Sequence, residues 1–193
     1  MSTKNVKRKN IATLTECAVL VALSFVLSLI KVWQMPLGGS VTLLSMLPVC
    51  IAVIRHGNAW GFGTAFVYSL TQAFVSGAVG WGLSVKVLLI CYLFDYVLAY
   101  TVLGFAGIFR KHGVPGAASG IALACLLRFL CHFITGVTIW GSSALGSGHG
   151  AAVFSLIYNG QYMLPETVFT VIGGTVLIRA LSKRGILTKD TGK

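Results

Sequence analysis

The apolar stretch at residues 11–30 constrains this chain more than any other feature of its sequence. It contains one charged side chain, Glu16, and about 20 apolar residues are what a helix needs to cross a bilayer. Across the whole chain 56% of the residues are hydrophobic and 10% are charged, whereas a soluble domain carries roughly 25% charged residues. This composition excludes a soluble enzyme, a secreted disulfide scaffold and a disordered protein.

Apolar runs separated by short polar loops predict an all-α integral membrane protein with six transmembrane helices. The expected spans are residues 11–32, 41–54, 59–79, 85–109, 116–140 and 151–181, with a kink at Pro165 in the last of them. The first run is longer than the apolar region of a signal peptide, so we expect it to remain as the first helix. We interpret residues 1–193 as a single, multi-pass domain of the cell membrane.

The distribution of lysine and arginine predicts the orientation of these spans. An even number of spans places both termini on one side, and that side collects 12 of the 15 cations, Lys189 and Lys193 among them. The opposite side has Lys31 and Lys86, and Arg128 lies within a span. Both termini are therefore expected in the cytoplasm. The positive charge belongs to the ends of spans, and no aromatic–basic alternation indicates nucleic acid.

The sequence contains no recognisable catalytic or cofactor motif. There is no H-E-x-x-H, G-x-S-x-G or C-x-x-C, and no phosphate-binding G-x-x-x-x-G-K-[ST], so we expect that the chain does not hydrolyse ATP itself. The five cysteines lie in or beside apolar runs, where we interpret them as reduced, buried residues and not as metal or redox groups. We expect no cofactor and no metal.

Polar side chains at membrane depth are costly and usually functional. Here they are Asp95 and Tyr96 on the fourth span, Arg128, His132, Gly136 and Trp140 on the fifth, and Asn159, Tyr162 and Glu166 on the sixth. The spacings on the fifth and sixth spans place each set along one helical face. A carboxylate, an imidazole and an amide among aromatic rings would suit a small planar cation.

Plainer interpretations exist for each of these residues. His132 alone would more often be a core histidine, and Trp140 could belong to an interfacial aromatic belt. Asp95 and Arg128 could form a buried ion pair that fixes helix packing. The convergence of three helices favours a binding site over these alternatives.

Four stretches carry a resemblance to a known family. They are MPLGGSVTLLSMLP (residues 35–48), DYVLAYTVLGFAGIFRK (95–111), LLRFLCHFITGVTIW (126–140) and SLIYNGQYMLPE (155–166). Together they resemble the thiamine-specific S-components (ThiT family) of energy-coupling factor (ECF) transporters over nearly the whole chain. The resemblance implies a six-helix, vitamin-binding membrane subunit that works with a separate transmembrane coupling subunit and two ATPase subunits.

The resemblance also implies which residues contact the ligand. The family's binding residues fall on Asp95, Tyr96, His132, Gly136, Trp140, Phe154 and Asn159, and its lid-loop tryptophan falls near Trp33. Two positions depart from the family pattern: Asp95 stands in place of a glutamate and Phe154 in place of a tyrosine.

Small residues at four-residue spacing mark faces on which helices approach closely. Gly116 and Gly120 do so on the fifth span, and Ala18 and Ala22 do so on the first. For the alanines, packing within this chain and docking of a partner are both open. The resemblance favours docking of the coupling subunit, because A-x-x-x-A is common to S-components.

We therefore expect a subunit that captures thiamine on the extracellular side, beneath the loop of residues 33–40, and delivers it with an ATPase-driven coupling module. One alternative is an S-component or secondary transporter for another small cationic or aromatic vitamin. A second is an intramembrane enzyme, which would need another catalytic group facing Asp95 or His132.

Overall fold

The structure, a computed structural model, describes residues 3–145 and 147–185 of the chain. The described residues form six helices and one β-hairpin. The elements are α1 (Thr3–Leu29), β1 (Lys31–Gln34), β2 (Ser40–Thr42), α2 (Leu47–His56), α3 (Asn58–Val75), α4 (Val85–Gly107), α5 (Gly113–Thr138) and α6 (Ala151–Lys183). Lys189 and Lys193, two of the cations used to predict the orientation, lie outside the described residues.

The predicted all-α membrane fold with six helices is confirmed. Four helices, α1, α4, α5 and α6, are long and apolar enough to cross a bilayer. Helix α6 continues through Pro165. Most helix boundaries agree with the predicted spans to within a few residues. The exceptions are the start of α1, which already begins at Thr3, the end of α1, and the start of α2.

Helix α2 corrects the second predicted span, residues 41–54. Residues 41 and 42 belong to β2, and the helix begins at Leu47 and has ten residues. Such a helix is about 15 Å long, half the thickness of the hydrocarbon core. All residues from Leu47 to Ile54 are buried. The apolar run is therefore explained by burial inside the protein, not by contact with lipid.

The β-hairpin was not predicted, and it replaces the end of the first span, residues 11–32. Helix α1 ends at Leu29, and β1 then pairs antiparallel with β2, with Trp33 opposite Val41 and Gln34 opposite Ser40. The side chains of β1 are exposed, whereas Val41 is buried. The intervening P-L-G-G is a turn signal between two short β-prone segments, and apolar composition alone concealed it.

Helix α4 changes its winding where the predicted site residues occur. It is α-helical from Val85 to Cys91, forms a π-helical turn over Tyr92–Leu98, and ends in a 3-10 segment over Val102–Gly107. Single π-helical turns are frequent at functional sites because they redirect side chains. Asp95 and Tyr96 lie within this turn.

The core lies around α2, which packs against α1, α3 and the C-terminal end of α4. Its largest buried side chains include Met46, Val49, Tyr68, Leu103 and Ile121. At the crossing of α4 and α5, a Cβ added to Gly120 would fall on the backbone oxygen of Ala106. Only a glycine allows this approach.

Gly120→Ala is expected to lower the free energy of unfolding in detergent by about 1–3 kcal/mol, the usual cost of overpacking a core. Gly63→Ala is the matched control, because Gly63 is an exposed position in α3 with no atom near an added Cβ. That variant should be as stable as the parent or more so, since alanine favours a helix over glycine. Thermal unfolding in one detergent compares them, and equal melting temperatures would contradict the close approach at Gly120.

Candidate ligand-binding site

A cavity of about 120 Å³ lies between α4, α5, α6 and the turn of the hairpin. It brings together seven of the eight predicted ligand-binding residues: Asp95, Tyr96, His132, Gly136, Trp140, Phe154 and Asn159. The eighth, Trp33, does not line the cavity. It lies on β1 and its surface is 49% exposed. Trp81, from the loop before α4, contributes a second indole to the cavity wall instead.

Asp95 is the centre of a hydrogen-bond network between α4 and α5. Its Oδ1 accepts from Oγ1 of Thr135 and lies 2.9 Å from Nδ1 of His132, and its Oδ2 accepts from Sγ of Cys91 at 3.5 Å. An ionised carboxylate only accepts hydrogen bonds, so Nδ1 of His132 donates. These donors compensate the cost of placing a carboxylate away from water.

His132 lines the cavity, and one of its ring nitrogens makes no hydrogen bond within the described residues. Its side chain is 11% exposed, and Nε2 is buried without a hydrogen-bond partner among the residues that the structure describes. Unpaired buried polar atoms are unfavourable.

Arg128 does not pair with Asp95, so the predicted alternative of a buried ion pair between them is wrong. Its Nη2 donates to the hydroxyl of Tyr100 at 2.8 Å, and its guanidinium lies 4.2 Å from the centre of the Tyr100 ring. Nη1 lies 2.7 Å from Sδ of Met46. The side chain lines the cavity, but its polar contacts are with Tyr100 and Met46 and not with Asp95.

Asn159 is oriented by its own helix and by α5. Its Nδ2 donates to the carbonyl oxygen of Ser155 at 2.9 Å, and its Oδ1 accepts from the hydroxyl of Tyr162 at 2.7 Å. A Cβ on Gly136 would collide with Oγ of Ser155 and approach Nδ2 of Asn159 to 3.0 Å. Gly136 therefore allows α5 and α6 to approach closely enough to form the cavity wall.

Aromatic rings form much of the remaining wall. Trp81 and Trp140 make an edge contact with ring centres 5.7 Å apart, and Phe154 stacks on Tyr158 at 6.0 Å. The wall residues that the sequence analysis missed are Trp81, Tyr100, Thr135, Ser155 and Tyr158. Thr135 could have been found, because it lies one turn from His132 on the same helix. The position of Trp81 depends on tertiary packing and left no sequence signal.

The hairpin covers the cavity and is held on α6. The backbone N–H and Oγ1 of Thr42 donate to the two carboxylate oxygens of Glu166, each at 2.6 Å. The hydroxyl of Tyr158 accepts from the N–H of Gly39 at 2.9 Å and donates to the carbonyl oxygen of Pro36. Glu166 lies on the predicted polar face of α6, but it binds the hairpin and does not line the cavity.

Ala18 and Ala22 lie far from these wall residues in the sequence and line neither the cavity nor the core. Both side chains are exposed on α1. With Leu70 and Phe74 of α3 they border an apolar groove on the surface. The structure therefore has both alanines on the surface of α1, beside α3 of the same chain.

Comparisons with known proteins all point to thiamine transporter proteins. The family model described as "Thiamine transporter protein (Thia_YuaJ)" matches residues 14–185. "Thiamine transporter ThiT" of Bacillus subtilis (strain 168) is 29% identical over 178 residues, which cover 85% of this chain and 88% of that protein. The protein of the same name from Lacticaseibacillus paracasei is 30% identical over 146 residues, which cover 69% of this chain and 70% of that protein.

A solved structure of ThiT from Listeria monocytogenes has the same fold, with a TM-score of 0.75 and 25% sequence identity. The match covers 91% of this chain and 97% of that one. The resemblance identified from the four sequence motifs is thus confirmed by family, sequence and structure. The chain belongs to the ThiT family of thiamine transporter proteins, and it is a multi-pass protein of the cell membrane.

Proposed function

We propose that this chain is the substrate-binding subunit of an ECF-type importer and that it binds thiamine in the cavity described above. The observation that supports this most is the Asp95–His132 pair, with a carboxylate at the wall and an unpartnered imidazole nitrogen beside it. Thiamine is a cation with two aromatic rings. A counter-charge, indole faces and a hydrogen-bonding imidazole match that chemistry.

Each wall residue has a distinct role in this proposal. Asp95 supplies the negative charge, Trp140 stacks on the ligand, and His132 bonds to it through Nε2. Tyr96 and Asn159 complete the polar contacts, and Phe154 contributes an apolar ring. The side chain of Asp95 is one methylene shorter than the glutamate that the family resemblance implies, and its hydrogen bonds to Thr135 and His132 define its position.

In this proposal, delivery of thiamine into the cell requires partner subunits. We propose that the positively charged side of the protein, with both termini, is cytoplasmic, and that the hairpin lies on the extracellular side. Ala18 and Ala22 would then form the docking surface for a transmembrane coupling subunit, which acts with two ATPase subunits. The exposure of both alanines beside an apolar groove supports this assignment, because small residues let a partner helix approach.

Asp95→Asn should weaken thiamine binding by about 1.5–3 kcal/mol, the range for a hydrogen bond to a charged group. The amide keeps the shape of the side chain and removes its charge. Isothermal titration in detergent measures the change. Glu16→Gln is the control, because Glu16 pairs with Arg55 at 2.8 Å outside the cavity and should bind thiamine normally. Parental affinity in Asp95→Asn would refute the counter-charge role.

Thiamine should quench the intrinsic fluorescence of the protein, because it stacks on the indole of Trp140. Trp140→Phe should lose most of this quenching. Trp60→Phe is the matched control: Trp60 lies on α3 and lines no part of the cavity, so the quenching should persist. Riboflavin and biotin at equal concentration should not compete. Absence of quenching at micromolar thiamine in the parent protein would exclude the proposed ligand.

Ala18→Trp and Ala22→Trp should abolish thiamine uptake in cells that contain the partner subunits, while the purified variants still bind thiamine. A large side chain at either position would keep a partner helix away. Val19→Trp is the control, since Val19 is exposed on α1 but does not border the groove. Equilibrium binding and cellular uptake are measured on the same variants. Loss of binding together with uptake would show that the alanines support the fold.

A further inference from the structure

The carboxylate of Glu166 is buried, and its hydrogen bonds are made with the hairpin. The residue is 3% exposed. Its Oε2 accepts from the backbone N–H of Thr42 and its Oε1 accepts from Oγ1 of Thr42. Within the described part of the chain, no other group donates a hydrogen bond to this carboxylate. Hydrogen bonds to an ionised group are roughly twice as strong as neutral ones, so this attachment is costly to break.

The hairpin is the structural link between Glu166 and the binding cavity. Gly38, Gly39 and Ser40, in the turn and at the start of β2, belong to the cavity wall. Thr42 ends the same strand, and neither Thr42 nor Glu166 lines the cavity. Glu166 therefore holds the hairpin from a position outside the cavity.

Val41, next to Thr42, is covered by the same attachment. It is 2% exposed and packs against Tyr162 and Met163 of α6. Movement of the hairpin away from α6 would expose this side chain. The accessibility of residue 41 therefore reports whether the hairpin is attached.

The chain leaves the hairpin through a strained residue. Leu44 has a φ of 58°, the only positive φ among the non-glycine residues that the structure describes, and its N–H donates to the carbonyl oxygen of Thr42 at 2.9 Å. A bulky residue keeps such a conformation only where the surrounding structure imposes it. Local backbone preference works against this arrangement, and contacts such as those with Glu166 are needed to maintain it.

We propose that Glu166 is a positioning residue for ligand binding: by holding Thr42 it keeps the hairpin over the cavity and sets the rate at which thiamine leaves. The inference rests on the proposed thiamine-binding function. Release requires the turn to move away from the cavity, and that movement breaks both bonds to Glu166. Loss of one bond therefore speeds dissociation although no residue of the cavity wall has changed.

The test removes one of these bonds and then restores it. Thr42→Val keeps the size of the side chain and removes the hydroxyl donor, and Thr42→Ser returns the hydroxyl. Glu166→Met removes both acceptor oxygens from a side chain of similar length. Dissociation of radiolabelled thiamine from the purified protein in detergent is followed after the addition of excess unlabelled thiamine.

Two controls remove other hydroxyl groups near the attachment. Thr167→Val changes the residue next to Glu166, whose Oγ1 donates within α6 to the carbonyl oxygen of Met163 at 2.7 Å. Ser45→Ala removes the second hydrogen bond of the Thr42 hydroxyl, which lies 2.7 Å from Oγ of Ser45. Neither Thr167 nor Ser45 lines the cavity.

We expect the dissociation rate constant to rise about tenfold or more in Thr42→Val, as for the loss of one hydrogen bond to a charged group. Glu166→Met should release thiamine faster still. Thr42→Ser, Thr167→Val and Ser45→Ala should stay within about twofold of the parent. A parental rate in Thr42→Val, or equally fast release from Thr42→Ser, would overturn the proposal.

A second measurement separates detachment of the hairpin from distortion of the cavity. Val41→Cys places a thiol beneath the hairpin, and a maleimide reaches it only when the hairpin leaves α6. Labelling at residue 41 is quantified by mass spectrometry, which resolves it from the native cysteines. Thr42→Val in this background should raise the labelling rate about tenfold, whereas Thr167→Val should not change it. Faster thiamine release with unchanged labelling would show a distorted cavity and overturn the proposal.

Failure of the parent protein to bind thiamine would refute the proposed function itself. That result is distinct from a failure of the role assigned to Glu166, because labelling of Val41→Cys measures the attachment of the hairpin without thiamine.

Discussion

The hydrogen bonds that Asp95 receives from His132 and Thr135 join α4 to α5 at a depth where lipid supplies no alternative partners. A carboxylate in such a place is stable only when donors surround it. The π-helical turn of α4 carries Asp95, and the π-helical winding there redirects side chains toward α5. Asp95 engages one nitrogen of His132, the other has no hydrogen-bond partner among the described residues, and both side chains form this part of the cavity wall.

Helix length and helical periodicity account for what could be predicted from the sequence. Long apolar runs encode α1, α4, α5 and α6, and four-residue spacing placed His132 and Gly136 on one face, where the structure has them. The hairpin could not be read in the same way, because its strands are three or four residues long and are held by contacts with Glu166 and Tyr158. Those contacts exist only after α6 has packed, so local sequence does not encode them.

Dependence on tertiary packing also explains why Trp81, and not the predicted Trp33, lines the cavity. Both tryptophans lie in loops or short elements on the hairpin side of the molecule. The family resemblance indicated Trp33 because of its position in the sequence. Trp33 lies on β1, whose residues are all exposed, and it does not line the cavity. Trp81 is directed inward, where it meets Trp140. The burial of a side chain in so short a strand depends on tertiary packing, which motif spacing does not determine.

Asp95 and Phe154, the two departures from the family pattern, both lie at the cavity wall. With Phe154 in place of a tyrosine, the wall lacks a hydroxyl at that position, and the ring instead stacks on Tyr158, one turn further along α6. The hydroxyl of Tyr158 is directed to the backbone of the hairpin turn, not to the cavity. The polar contact here therefore lies between α6 and the hairpin, and the ring of Phe154 gives the cavity wall an apolar surface. The shorter carboxylate of Asp95 accepts hydrogen bonds from Cys91, His132 and Thr135, and these three donors fix its position at the wall.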